Sequence, residues 1–291
     1  MEHIQRAINR AKESKSGSGA LLTTLAKAPP LSVDPGLRVS PGLSGIREVR
    51  LSKEVLERER IVAHDRFDDR SRSFDMLRTQ VLQTMDAKQA QILAVTSPTA
   101  GCGKTLNSIN LALGIARQPE RSVLFVDLDL NGSQIARRLG IECDVGLIDV
   151  LEGRVAYQDA LLQTKVGDYD LLFLPSKATN AGVVEWPSAK ALAGLLRDLK
   201  QDGGSRIVIL DLPPLLSGDE VIALLPNVDG LLFVVAAGMT TQANLKECGK
   251  HLQSSSIIRV VFNRSPEPSI ATYGSSPSGE HRTPKRFWRR R

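Results

Sequence analysis

The sequence predicts an α/β chain built on a doubly wound, mostly parallel sheet. Three observations carry that prediction. Six apolar runs of strand length follow one another: "AQILAVT", "SVLFVDLDL", "DLLFLP", "RIVILDLPP", "GLLFVVAAG" and "IIRVVFN". They are rich in Val, Ile and Leu without alternation, which suits strands covered on both faces. Segments with helical spacing lie between several of them, and that order implies parallel pairing through crossovers.

The elements read in order as follows. Over residues 1–15, Ile4, Ala7, Ile8 and Ala11 share one face of a short amphipathic helix, either a docking face or a frayed end. Residues 14–46 are rich in Ser, Gly and Pro and cannot bury enough apolar surface to offset ordering. Residues 47–70 are charged and assign to no element, so a flexible linker is set at 16–60 and the globular part at 61–264. "RSFDMLRTQVLQTM" then places Phe74, Leu77, Val81, Leu82 and Met85 at helical spacing. Further helices are expected over 104–117 and 185–201. Residues 265–291 are again Pro- and Ser-rich and read as a disordered basic tail.

Composition excludes several classes. The chain has 291 residues, 42% of them hydrophobic, which fits one large α/β domain with appendages. No apolar stretch approaches the ~20 residues of a membrane span. The opening residues lack the hydrophobic segment of a signal peptide. Cys102, Cys143 and Cys248 are odd in number and widely spaced, which points to a reducing cytoplasm rather than a disulfide framework. The net charge is +6, and the last eleven residues, "HRTPKRFWRRR", hold six Arg or Lys and no acid. Without that tail the chain is close to neutral, so a nucleic-acid-coating body is not indicated.

Chemistry first shows at "TSPTAGCGKT", Thr96 to Thr105. The stretch ends like a phosphate-binding loop, in Gly-Lys-Thr, but Pro98 stands where the pattern G-x-x-x-x-G-K-[ST] begins with glycine. Context decides for the loop: a strand precedes it, a helix follows it, and Gly101 and Gly103 leave room for N–H groups to turn inward. The helix N-terminus favours an anion. Lys104 can reach the outer phosphates and the Thr105 hydroxyl can bind Mg²⁺.

Carboxylates follow where such a site needs them. "SVLFVDLDL" runs a strand into Asp127, with Asp129 two residues on, and "RIVILDLPP" does the same with Asp211. Ligands of open parallel sheets collect at the carboxyl ends of strands. Mg²⁺ on phosphates needs only a hydroxyl and one or two carboxylates, and Thr105, Asp127 and Asp211 make that set. A carboxylate beside the metal can also take a proton from an attacking hydroxyl. The competing reading of each Asp alone is a helix cap or rim charge.

Five stretches in this order, "TSPTAGCGKTLNSINLALGIA", "VLFVDLDLNGSQIARRLG", "GLIDVLEG", "IVILDLPPLLSGDE" and "VVFNR", resemble the bacterial protein-tyrosine kinases (BY-kinases) of capsule and exopolysaccharide export. These belong to the P-loop ATPases that include the Mrp, MinD and ParA proteins. The resemblance covers about residues 60–264 and the N-terminal helix. It implies ATP and Mg²⁺ as ligands. The loop from Thr99 through Ala100, Gly101, Cys102, Gly103, Lys104 and Thr105 to Leu106 would surround the phosphates. Asn263 would lie near the adenine, and Asp127 or Asp129 would help activate an acceptor tyrosine, with Lys104 as the third catalytic group.

Departures from that family are specific. Thr99 stands where partition-type relatives carry a signature lysine, which sides the chain with the kinases. Ala100 replaces a proline, and Asn131-Gly132 replaces the usual Arg and Pro. In the ring-forming motif E-x-x-R-x-x-R the matching positions are Arg72, Asp75 and Arg78, so only the last is kept. Autophosphorylating members end in a tyrosine cluster, whereas here Tyr273 is the tail's one tyrosine and phosphosite candidate. The implied partner is a membrane polysaccharide co-polymerase of chain-length-control type, with a homo-oligomer as a second expectation. "KRFWRRR" suits either a solvated tail or peripheral contact with an anionic membrane. Three functions remain: a tyrosine kinase, an ATP-dependent switch that docks on an export or partition assembly with slow hydrolysis at most, or a structural α/β protein whose loop binds no ATP.

Overall fold

The computed structural model describes residues 45–176, 186–203, 206–253 and 255–265, with the side chains of 201–203 excepted. The expected N-terminal helix, most of the linker, the basic tail beyond residue 265 and Tyr273 lie outside the described residues.

The described strands form one eight-stranded sheet. In chain order they are β1 (Arg47–Arg50), β2 (Ile92–Thr96), β3 (Val123–Asp127), β4 (Leu162–Val166), β5 (Tyr169–Leu174), β6 (Ile207–Asp211), β7 (Gly230–Ala236) and β8 (Ile257–Asn263). The spatial order is β1-β4-β5-β3-β6-β2-β7-β8. The six strands expected from the apolar runs are β2, β3, β5, β6, β7 and β8, and all six run parallel. Only β4 pairs antiparallel, with β5, across a two-residue turn that Gly167 opens at φ +59°.

Helices cover both faces, as continuous apolar strands require. Leu93 and Val95 of β2 join Val81, Leu82 and Met85 of α2 (Arg72–Lys88) and Ile109 and Leu113 of α3 (Lys104–Ala116). Ile92 and Ala94 of the same strand turn to the other face. There they meet Leu192, Leu196 and Leu199 of the later helix Ala189–Gly203 and Val221 of Glu220–Leu224. The helix expected at 185–201 is thus present, shifted by a few residues.

The linker expectation at 16–60 is corrected at its end. β1 pairs with β4 residue by residue, from Arg47↔Leu162 to Arg50↔Lys165. Ser52 then caps α1 (Lys53–Arg58), accepting from the Val55 N–H at 3.4 Å, and Leu56 is fully buried in the same cluster as Val81. Just beyond, Asn110 of α3 accepts from the N–H groups of Val62 at 2.8 Å and Ala63 at 2.9 Å. Composition concealed this because β1 and α1 are charged on their outer faces, β1 half-burying only Val49 and α1 fully burying only Leu56. Leu56→Ala is therefore expected to lower stability by about 2–5 kcal/mol. Urea denaturation measures it, and an unchanged midpoint would return the segment to linker status.

Positions matching the ring-forming motif are consumed within the chain. Asp75 Oδ1 accepts from Arg78 Nη1 at 2.8 Å and also from Arg117, at the end of α3. Arg117 donates in turn to the Ala63 carbonyl at 2.9 Å, and Arg78 to the Gly114 carbonyl at 3.3 Å. The triad clamps α2 to α3, while Arg72 pairs on the surface with Asp69 at 3.0 Å.

Candidate functional site

The loop between β2 and α3 is strapped to the exit of β6. Thr96 Oγ1 donates to the Pro213 carbonyl at 2.6 Å, and the N–H of Leu215 donates to the Ser97 carbonyl at 2.8 Å. Leu216 N–H donates to the Pro98 carbonyl at 3.2 Å, and the Ser97 hydroxyl to the Thr99 carbonyl at 2.8 Å. Pro98 thus offers the acceptor that its position needs and is not asked for a donor. Two glycines make the turn. Gly101 lies at φ +80° and Gly103 at φ +93°, where other residues are strained. A Cβ at 101 would stand 2.9 Å from Met239 Cε, and one at 103 would collide with Asn263 Nδ2.

α3 starts with no side-chain cap, so its first-turn N–H groups are left to an anion. Around the loop most side chains point away from that opening. Cys102 is buried, its sulfur 3.6 Å from the hydroxyls of Thr99 and Thr240. Leu106 packs against the core, and Ala100 is exposed. From 99–106 the opening is therefore offered backbone, together with the Lys104 ammonium and the Thr105 hydroxyl. Asn263, at the end of β8, donates to the Cys102 carbonyl at 2.8 Å.

The structure brings the sequence-derived carboxylates to the same place. Asp127 and Asp211 are direct partners across β3 and β6, at the carboxyl ends of both strands. Both are fully buried, and Lys104 and Asp129 are 8% and 9% exposed. The Lys104 ammonium pairs with Asp129 Oδ2, lies 3.3 Å from Thr105 Oγ1 and 3.8 Å from Asp211 Oδ2. Asp211 accepts from the Thr105 hydroxyl at 2.8 Å and the Ser108 hydroxyl at 3.0 Å. Asp127 accepts from Ser133 at 2.6 Å, from Ser176 at 3.3 Å and from the Asp129 N–H at 3.2 Å.

Three carboxylates thus face one ammonium, and the electrostatics follow. Burial, then the charge of Asp211, pushes the Asp127 carboxyl up to about 7. Burial also raises Asp211, against the pull of Lys104 and the Thr105 and Ser108 hydroxyls. Burial alone would lower the Lys104 ammonium, but Asp211 and Asp129 outweigh it and the group is raised. Among the described residues no three His, Cys, Asp or Glu side chains form a metal cage. The donor set of Thr105, Asp127 and Asp211 suits instead a cation that brings phosphate oxygens and waters with it, as Mg²⁺ does. The glycine cradle and the uncapped α3 fit the phosphates themselves.

Sequence reading missed the three serines. Ser108 lies three residues after Thr105, on the same face of α3, and that spacing was a readable signal. Ser133 and Ser176 had none, since only tertiary packing brings them to Asp127.

Residues 93–273, well over half of the chain, match the CobQ/CobB/MinD/ParA nucleotide binding domain family. The chain belongs to this family. As a MinD/ParA-type nucleotide-binding domain it is 28% identical over 203 residues to AmsA of Erwinia amylovora, covering 68% of this chain and 27% of AmsA. It is 26% identical over 183 residues to the tyrosine-protein kinase Etk of Escherichia coli, covering 62% of this chain and 24% of Etk. The chain therefore spans about a quarter of the length of these relatives. Among solved structures, the VpsO kinase domain is similar at 27% identity and a TM-score of 0.56, over 69% of this chain and all of that one, 100%. Among the described residues, no helix of this nucleotide-binding domain is long and apolar enough to cross a membrane.

Proposed function

We propose that the chain is a tyrosine kinase of the BY type, which binds ATP with Mg²⁺ and transfers the γ-phosphoryl group to a protein tyrosine. The observation that carries this reading is the convergence of Lys104, Thr105, Asp127, Asp129 and Asp211 beside the uncapped start of α3. Lys104 holds the outer phosphates, and N–H groups of residues 99–106 cradle the inner ones. Thr105, Asp127 and Asp211 would hold the magnesium ion, which would supply neutralisation of the charge that develops in the transfer. Asp127 or Asp129 takes the proton from the tyrosine hydroxyl. By likeness to the family, Asn263, bonded to the Cys102 carbonyl at the end of β8, would lie near the adenine.

By likeness to the BY-kinases the setting is exopolysaccharide or capsule export. The activator is a membrane co-polymerase of chain-length-control type. The tail "KRFWRRR" brings the chain to the anionic inner leaflet, and Tyr273 is the acceptor within the chain. Incubation with labelled ATP and Mg²⁺, alone and with the co-polymerase, tests the reading. Phosphotyrosine is expected. Its absence with the co-polymerase present would overturn kinase activity.

The clamp of Asp75, Arg78 and Arg117 favours a second reading. With these groups turned inward, the ring that family members use to phosphorylate one another lacks its contacts. The chain then acts as an ATP-dependent switch, and its nucleotide-dependent binding to the export assembly survives Tyr273→Phe.

A further inference from the structure

The turn after Asp129 decides where that carboxylate points. Gly132 donates its N–H to the Asp129 carbonyl at 3.0 Å, closing the four-residue turn Asp129-Leu130-Asn131-Gly132. Asp at its first position and Gly at its last are the residues such turns favour. The turn lays Gly132 against the Asp129 carboxyl group. A Cβ at 132 would stand 2.8 Å from Oδ1 and 3.0 Å from both Cγ and Oδ2, closer than side chains pack. Only the missing side chain leaves the carboxylate its place, and in that place it pairs with Lys104. A phosphate arriving at Lys104 must therefore displace a like-charged group from the same ammonium.

We propose that Gly132 is a positioning residue for nucleotide entry. By leaving room for Asp129 to lie on Lys104, it makes that carboxylate a stand-in for phosphate and sets how readily nucleotide replaces it. The inference rests on the reading of Lys104 as a phosphate ligand and adds to it the group that competes. Gly132 is not among the positive-φ glycines, so an alanine there meets no backbone penalty of that kind and acts on the Asp129 side chain. The two effects of Gly132→Ala have opposite signs. Without ligand the buried pair is lost and stability falls. With ligand the competitor is gone and affinity rises, because less of the protein sits in the closed arrangement.

The full chain and Gly132→Ala are compared by calorimetry with Mg–ADP and by thermal melting without it. The expected result is an affinity about fivefold or more tighter, together with a lower unliganded Tm. Asp129→Asn is expected to tighten binding likewise, and Gly132→Ala is then expected to add nothing. Unchanged or weaker binding by Gly132→Ala overturns the proposal, as does its full effect in the Asp129→Asn background. General damage to the fold would instead lower Tm and weaken binding together. If neither the unsubstituted chain nor the variants take up Mg–ADP, the phosphate-site reading falls, and the inference falls with it.

Discussion

Lys104→Ala is expected to abolish uptake of Mg–ATP and, with it, any phosphoryl transfer. Lys104 is the cation paired with both Asp129 and Asp211, and it is 8% exposed. Its loss removes the charge that meets the outer phosphates and leaves two fully buried carboxylates and a nearly buried third facing one another. Breaking a buried pair by deleting one partner costs about 3–5 kcal/mol. The deficit should depend on pH. Asp127 and Asp211 are held above the ordinary carboxylate range by burial, so the folded state takes up their protons more readily than the unfolded chain. Such groups favour the fold at low pH and disfavour it as pH rises from the unfolded value of 3.8 through the folded value of about 7 for Asp127. Without Lys104 that loss of stability with rising pH is steeper, so the variant should approach the parent in stability near ~5 and fall furthest behind it near ~8. Calorimetry with Mg–ATP and urea denaturation at the two pH values measure both effects. Unaltered ATP affinity would remove Lys104 from the phosphate site.

Gly103→Ala is the second large effect. At φ +93° an alanine is strained by about 1–2 kcal/mol. Its Cβ would also collide with Asn263 Nδ2 and break that side chain's 2.8 Å bond to the Cys102 carbonyl. The residue immediately precedes Lys104, so relaxation of the turn rotates the N–H groups that meet an anion. Nucleotide affinity is expected to fall by about tenfold or more, equivalent to ~1.4 kcal/mol. Gly101→Ala should be milder, because the group in its way is the flexible end of Met239 at 2.9 Å. Equal affinities for all three proteins would mean that the loop backbone does not touch the ligand.

What could be read beforehand follows from where each element sits. β2, β3, β6 and β7 are buried along their whole length, and burial on both faces writes apolar residues into nearly every position, whereas β8, at the sheet's edge, is as apolar in sequence yet leaves Ile257, Val260 and Phe262 exposed. β4 alternates buried and half-buried residues, and β1 shows only one half-buried side chain in four, so neither rises above the polar background. Asp127 and Asp211 were legible because each ends an apolar run, and the rim of a parallel sheet is where such an end lies. Ser133 and Ser176 reach Asp127 from six and forty-nine positions away, a distance no local pattern spans. Pro98 was legible as a departure, but its tolerance rests on the strap from Leu216, which is a tertiary bond.

One helix connects features that the chain holds far apart. α3 meets the carboxylates through Thr105 and Ser108 at its start, grips the amides of Val62 and Ala63 through Asn110 in its middle, and is followed at once by Arg117 on the Ala63 carbonyl. Its thirteen residues make a rod of about 20 Å. The segment at Val62 and Ala63 and the carboxylate cluster are therefore held to two points along one rigid rod.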